Sequence, residues 1–130
     1  MFLKGVNYHN WGFVAETKEK QPFHKGKGGN FKTMKETVQE LGHTGRTVDI
    51  FKIDCEGCEW TTYGDWFNGG ATLKQILVEV HETPADKADR FFTSMQKEGY
   101  VTFHKEPNIQ YSGGRCVEYA FLKLEPSFFG

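Results

Sequence analysis

The sequence predicts an α/β domain, and three observations carry that prediction. Two short apolar runs, Val48 to Ile53 and Ile76 to Val80, have the length and continuity of buried parallel strands. Segments with helical spacing precede and follow them, so strand and helix alternate along the chain. The last two strand-like segments have only a turn-rich loop between them, which makes them an antiparallel pair. A length of 130 residues fits one domain with a real core.

Taken in order, Phe2 to Val14 reads as extended and aromatic-rich, with Gly5 and Gly12 allowing bends or close backbone approach. Residues 15–30 form a polar loop with Pro22, Gly26, Gly28 and Gly29, expected to be mobile. A helix is expected from Phe31 to Leu41, its stripe being Met34, Val38 and Leu41. Asn30 or Thr33 can cap it, Thr33-x-x-Glu36 has the form of a capping box, and Gly42 ends it.

Thr47 to Ile53 is expected to be the central strand, buried on both faces. Polar residues arrive together at its end: Asp54, Cys55, Glu56, Gly57, Cys58 and Glu59. Open α/β sheets present chemistry in the crevice beyond the carboxyl ends of their strands. The plainer reading is a tight turn at Gly57, with Glu56 and Glu59 favoured by the dipole of a following helix, Cys58 to Phe67. A second buried strand runs from Gln75 to His81. Thr83-Pro84-Ala85-Asp86 starts a helix with proline in its first position and Ala88, Phe91, Phe92 and Met95 as its stripe. Tyr100 to Lys105 and Arg115 to Leu124 are the final strands.

Level strand ends would place Lys52 beside Glu79. Each lies in an apolar run, so a buried pair is expected whose disruption costs about 3–5 kcal/mol.

Charge narrows the function. Residues 1–46 carry eight Lys/Arg against four Asp/Glu, and residues 47–130 eight against thirteen. The basic stretch, Lys18 to Lys32, has only Phe23 and Phe31 among its lysines and lacks the regular aromatic alternation of a stacking platform, so no nucleic-acid partner is expected. No apolar run approaches the ~20 residues of a membrane span.

Three cysteines, an odd number, argue against a disulfide framework and for a reducing compartment such as the cytoplasm. Cys55 and Cys58 nevertheless form C-x-x-C between a strand and a helix, which suits a thiol redox pair. The surrounding carboxylates oppose the thiolate that such chemistry needs. A zinc site would have to add Cys116 and either His81 or His104.

Phe51-Lys52-Ile53-Asp54-Cys55-Glu56-Gly57-Cys58-Glu59-Trp60 resembles the K-I-D-x-E-G-x-E signature of FkbM-type and related methyltransferase-like proteins. Gln75 to His81, Gly99-Tyr100, Cys116 to Phe121 and Leu41-Gly42-His43 continue the resemblance over about residues 31–124. Asn7 to Gly12 match more weakly.

The resemblance implies a partial Rossmann-like class I methyltransferase sheet with an antiparallel C-terminal hairpin. Its family order is three, two, one, four, five, seven, six. This chain supplies strands corresponding to the third to seventh, while the first and second, with their glycine-rich turn and ribose-binding carboxylate, have no counterpart. The expectation is one methyltransferase-like domain over residues 1–130 without its N-terminal cofactor-binding part, a fragment whose independent activity is in question.

The resemblance further implies S-adenosylmethionine as cofactor and methyl transfer, to oxygen by analogy, with a small-molecule or glycan acceptor. Asp54, Glu56 and His81 are its candidate catalytic residues, and Glu59 its candidate substrate-binding residue. The Asp/Glu/His set has no strict metal spacing, so no metal is assigned. The alternatives are the redox or zinc module at Cys55 and Cys58, and a non-catalytic remnant acting by association.

Overall fold

A computed structural model describes residues 4–16, 29–82 and 84–130. Most of the loop expected over residues 15–30, the start of the extended first segment and Thr83 lie outside the described residues.

Two short strands, β1 (Gly12–Phe13) and β2 (Phe31–Lys32), pair in parallel. A Cβ on Gly12 would stand 2.9 Å from the Phe31 ring, so glycine is what admits the close approach read from the sequence. This pairing takes Phe31 and Lys32 out of the expected helix. The helix, α1 (Met34–Glu40), starts three residues later than expected. Thr33 is its N-cap. The Thr33 hydroxyl accepts from the Glu36 N–H at 3.2 Å, and the Glu36 carboxylate accepts from the Thr33 N–H at 2.8 Å. The capping box is therefore the true start.

The main sheet comprises β3 (Thr47–Ile53), β4 (Thr72–His81), β5 (Tyr100–Pro107) and β6 (Cys116–Lys123), in the order β3-β4-β6-β5. β3 and β4 are parallel; β6 runs antiparallel to both its neighbours, β4 and β5. The alternation of strands and helices thus yields a mixed α/β sheet compatible with a methyltransferase-like fold.

The helices are α2 (Glu59–Trp66) and α3 (Ala85–Lys97), with a short α4 (Ile109–Ser112) between β5 and β6. Pro84 lies one residue earlier than expected, at the N-cap of α3. Among the described residues no helix is long and apolar enough to cross a membrane.

α2 and α3 cover the sheet face that carries Phe51, Ile53, Ile76, Val78, Val80 and Phe121. Phe91 of α3 is the centre of this core. Its ring lies 5.2–5.9 Å from those of Phe92, Tyr63, Trp60 and Phe121, in edge-to-face geometry. Met95 and Phe91 are fully buried, as their stripe predicts.

Two expectations for β3 fail. The central strand is β4, paired on both sides, while β3 is the end strand of the four. Nor is β3 buried on both faces: Ile50 is 58% exposed, and its neighbours across the sheet include the partly exposed Leu122 and Val101. A continuous apolar run reports two-face burial only when both faces are covered, and the described helices cover one.

The expected Lys52–Glu79 pair is also absent. Lys52 is level with Leu77, because β4 runs two residues past the level assumed. The Lys52 Nζ instead meets the Glu118 carboxylate at 2.8 Å, half-exposed. Buried Glu79 accepts a hydrogen bond from the Asn108 side chain at 2.9 Å.

Candidate functional site

The parallel pair β3–β4 ends in the residues singled out by the signature. Directly after β3 the chain makes a tight turn, Cys55 to Cys58, closed by the Cys58 N–H donating to the Cys55 carbonyl at 3.3 Å. Both central residues have positive φ, 54° at Glu56 and 104° at Gly57. Gly57 needs the freedom of glycine there, while Glu56 adopts a conformation uncommon for its type.

Across this turn Cys55 and Cys58 are joined by a disulfide, and Cys116 remains a free thiol. This corrects the expectation drawn from the cysteine count. An odd number requires one leftover thiol and says nothing against a pair three residues apart. Sulfurs bonded to each other also offer no thiolates, so the zinc set with Cys116 and His81 or His104 loses two of its ligands. His104 lies away on β5, 3.5 Å from the Glu106 carboxylate.

The turn sends its carboxylates in different directions. Glu59, in the first turn of α2, points inward and is completely buried. One of its oxygens, Oε1, accepts from the His81 backbone N–H at 2.8 Å and lies 3.1 Å from His81 Nδ1. The other, Oε2, accepts from the Gly57 N–H at 3.0 Å. The next residue, Trp60, donates its indole N–H to the His81 carbonyl at 2.7 Å. The start of α2 therefore grips the end of β4 through both backbone groups of His81. Glu59, the candidate substrate-binding residue, has its oxygens committed to this grip.

His81 has its side chain 11% exposed. In the tautomer with the ring proton on Nδ1, that proton is donated to Glu59 and Nε2 is the basic nitrogen. Nε2 faces Asp54 Oδ1 and Glu56 Oε2, each at 3.5 Å. The structure thus brings the three signature candidates, Asp54, Glu56 and Glu59, around the imidazole of the fourth candidate, His81.

Beside them opens a cavity of about 440 Å³, lined among others by Glu56, Trp60, His81, Lys87, Tyr111 and Arg115. This size suits a small organic ligand. Among the described residues a cation has two geometrically suitable donor sets, Asp54 with Glu56 and His81, or Glu79 with His81 and Cys116; within each set the ligand atoms lie within 4.8 Å of one another.

Several contributors escaped the sequence reading. Trp60 stands at the end of the signature, and the resemblance implies no role for it. Tyr111 lies in α4, within the stretch expected to be a turn-rich loop, and Arg115, expected to open the last strand, lies just before it. Asn108 was the available signal: an Asn before a short polar run is an N-cap, and its side-chain oxygen accepts from the Tyr111 N–H at 3.1 Å. Glu82, with φ of 40°, extends the cavity wall after β4.

A family described as a methyltransferase domain matches residues 2–123 of the chain. Neither a curated protein nor a solved structure matches it.

Proposed function

We propose that this chain, which belongs to the methyltransferase domain family, serves S-adenosylmethionine-dependent methyl transfer to an acceptor oxygen, with His81 as the base. One observation carries the reading. The carboxyl ends of two adjacent parallel strands converge on a single oriented imidazole at the mouth of a cavity, where open α/β sheets bind ligands. The strand order β3-β4-β6-β5 supports it, being the four-five-seven-six part of the order implied by the FkbM-type signature.

S-adenosylmethionine, when bound, supplies a methyl group on a positively charged sulfur. The donor set fits that charge: Asp54 and Glu56 are exposed carboxylates, and the aromatic Trp60 lines the cavity beside Glu56. These residues would hold the sulfonium end. No described residues form the glycine-rich turn that would hold the remainder.

In this chain His81 Nε2 takes the proton of an acceptor hydroxyl. Glu59, on Nδ1, keeps the ring in the tautomer that leaves Nε2 basic, and its charge favours the imidazolium that results. Asp54 and Glu56 become ion-pair partners of that imidazolium across 3.5 Å. Their second role is to orient the acceptor. Glu59 is a positioning residue, since nothing in the cavity reaches it.

The test is transfer of labelled methyl from S-adenosylmethionine to small-molecule and glycan hydroxyl acceptors. Replacing His81 by Gln should lower transfer by roughly 10²-fold or more, the usual worth of a general base, with the fold checked by circular dichroism. No transfer by the unmodified chain at saturating cofactor, or equal transfer by the His81→Gln variant, rejects the reading. Cofactor affinity is a separate measure: binding weaker than micromolar is expected without a glycine-rich turn, and micromolar binding would refute the half-sheet mapping.

A further inference from the structure

The disulfide encloses the very residue whose carboxylate faces His81. Cys55 and Cys58 are bonded, and Glu56 and Gly57 are the two residues inside the ring. Glu56 is held at φ 54°, a region a non-glycine residue leaves when free to do so. Cys55 is half-buried and Cys58 almost fully buried, so a reductant meets Cys55 first. Cys55 Sγ is 3.4 Å from Glu59 Oε2, the carboxylate that grips His81.

We propose that Cys55–Cys58 is a redox modification site that sets the geometry of the Glu56–His81–Glu59 cluster. As regulation of the proposed site, the inference rests on that functional reading for its biological meaning, though not for its test. In the disulfide form the ring keeps Glu56 beside His81 Nε2, and Cys55 has no proton to donate. A dithiol reductant opens it. One reductant thiolate attacks Cys55 Sγ, breaking the S–S bond and releasing Cys58 as a thiolate, which takes up a proton. The second reductant thiol then displaces Cys55 from the mixed disulfide and closes its own ring; Cys55 is protonated in turn. Two electrons and two protons pass to the cysteines, and the reductant becomes a cyclic disulfide. The opened turn lets Glu56 relax towards right-handed backbone, drawing its carboxylate from His81. The new Cys55 thiol donates to Glu59 Oε2, competing for the charge that orients His81.

The same surroundings exclude a role as a general oxidant of other proteins. Glu59 beside Cys55, with Asp54 and Glu56 in the same turn, disfavours thiolates, and destabilised thiolates make poor leaving groups. The pair is therefore a slow latch and not a shuttle.

The experiment uses the full chain. Under denaturing, non-reducing conditions iodoacetamide should modify one cysteine, Cys116, in air-oxidised protein and three after dithiothreitol. The His81 ring signals in nuclear magnetic resonance, assigned by their loss in the His81→Gln variant, should shift on reduction. The Glu56→Gln variant should show a smaller shift, and Cys55→Ser/Cys58→Ser, which opens the ring and keeps a donor at position 55, should approach the reduced spectrum without reductant. If that double variant does not fold, the wild-type titration alone decides. Three alkylated cysteines in the oxidised chain, or identical His81 signals in both states, overturn the proposal. No cofactor or acceptor is present, so failure of methyl transfer leaves this test untouched.

Discussion

Removing the Glu59 carboxylate should destabilise the fold more than removing any exposed charge of the chain. Glu59 is 0% exposed and its two oxygens serve the Gly57 N–H, the His81 N–H and His81 Nδ1. The Glu59→Ala variant strands two backbone donors and one ring donor in a largely buried space. A buried donor without a partner costs about 1–3 kcal/mol, so a total of roughly 3–5 kcal/mol is expected after partial relaxation, in line with broken buried pairs. Glu59→Gln is the milder change. Its carbonyl oxygen can still receive the His81 groups, while its NH₂ opposes the Gly57 N–H, for about 1–3 kcal/mol. Urea unfolding of the three proteins, with m-values compared, measures both costs. A cost below about 1 kcal/mol for the alanine variant, or a glutamine variant less stable than the alanine one, refutes the reasoning.

Two further outcomes follow from the packing. Lys52→Met should cost less than about 1 kcal/mol, because Lys52 and Glu118 are 48% and 36% exposed and a pair of that kind is weak; a loss of 3 kcal/mol or more in the same unfolding assay would restore a buried partner. Tyr100 donates its hydroxyl to the Leu73 carbonyl at 2.6 Å, and burial, with a smaller push from the Glu98 charge, raises its pKa to about 12. A raised pKa favours the protonated form in the folded state, so its contribution is complete below pH ~10 and is lost as pH rises from there through about 12. At most roughly 2–3 kcal/mol is at stake, and Tyr100→Phe should remove that component of alkaline destabilisation. An unchanged alkaline profile would place its origin elsewhere.

What was legible in the sequence was whatever a short window specifies. The Thr33-x-x-Glu36 box, the Phe91/Met95 stripe and the antiparallel final strands needed only local spacing. Stagger between strands is not local. Lys52 and Glu79 were assigned their faces correctly, since a slip of two residues preserves parity, but the slip moved the lysine to Glu118. β3 shows the same gap: its apolar run could not reveal that Ile50 would face open space. At the site, the identity of the clustered residues was readable from the signature and the end of the next strand. Their division of labour was not, because it depends on a turn whose central residues both have positive φ.

That turn explains why three carboxylates within six residues are not equivalent. Asp54 leaves β3 in strand geometry, and its side chain stays at the sheet's carboxyl edge. The reversal at Glu56 and Gly57 throws the Glu56 side chain outward, 79% exposed, and turns the backbone into α2. Glu59 then emerges on the inner side of the first helical turn, where the end of β4 supplies a backbone N–H and an imidazole to satisfy it. Because β4 runs three residues beyond the end of β3, whose Ile53 is level with Val78, His81 reaches this point, whereas a shorter strand would end below it. The spacing D-x-E-G-x-E is therefore a geometric requirement. It sets two outward carboxylates on the exposed side of one histidine and one inward carboxylate on its buried side.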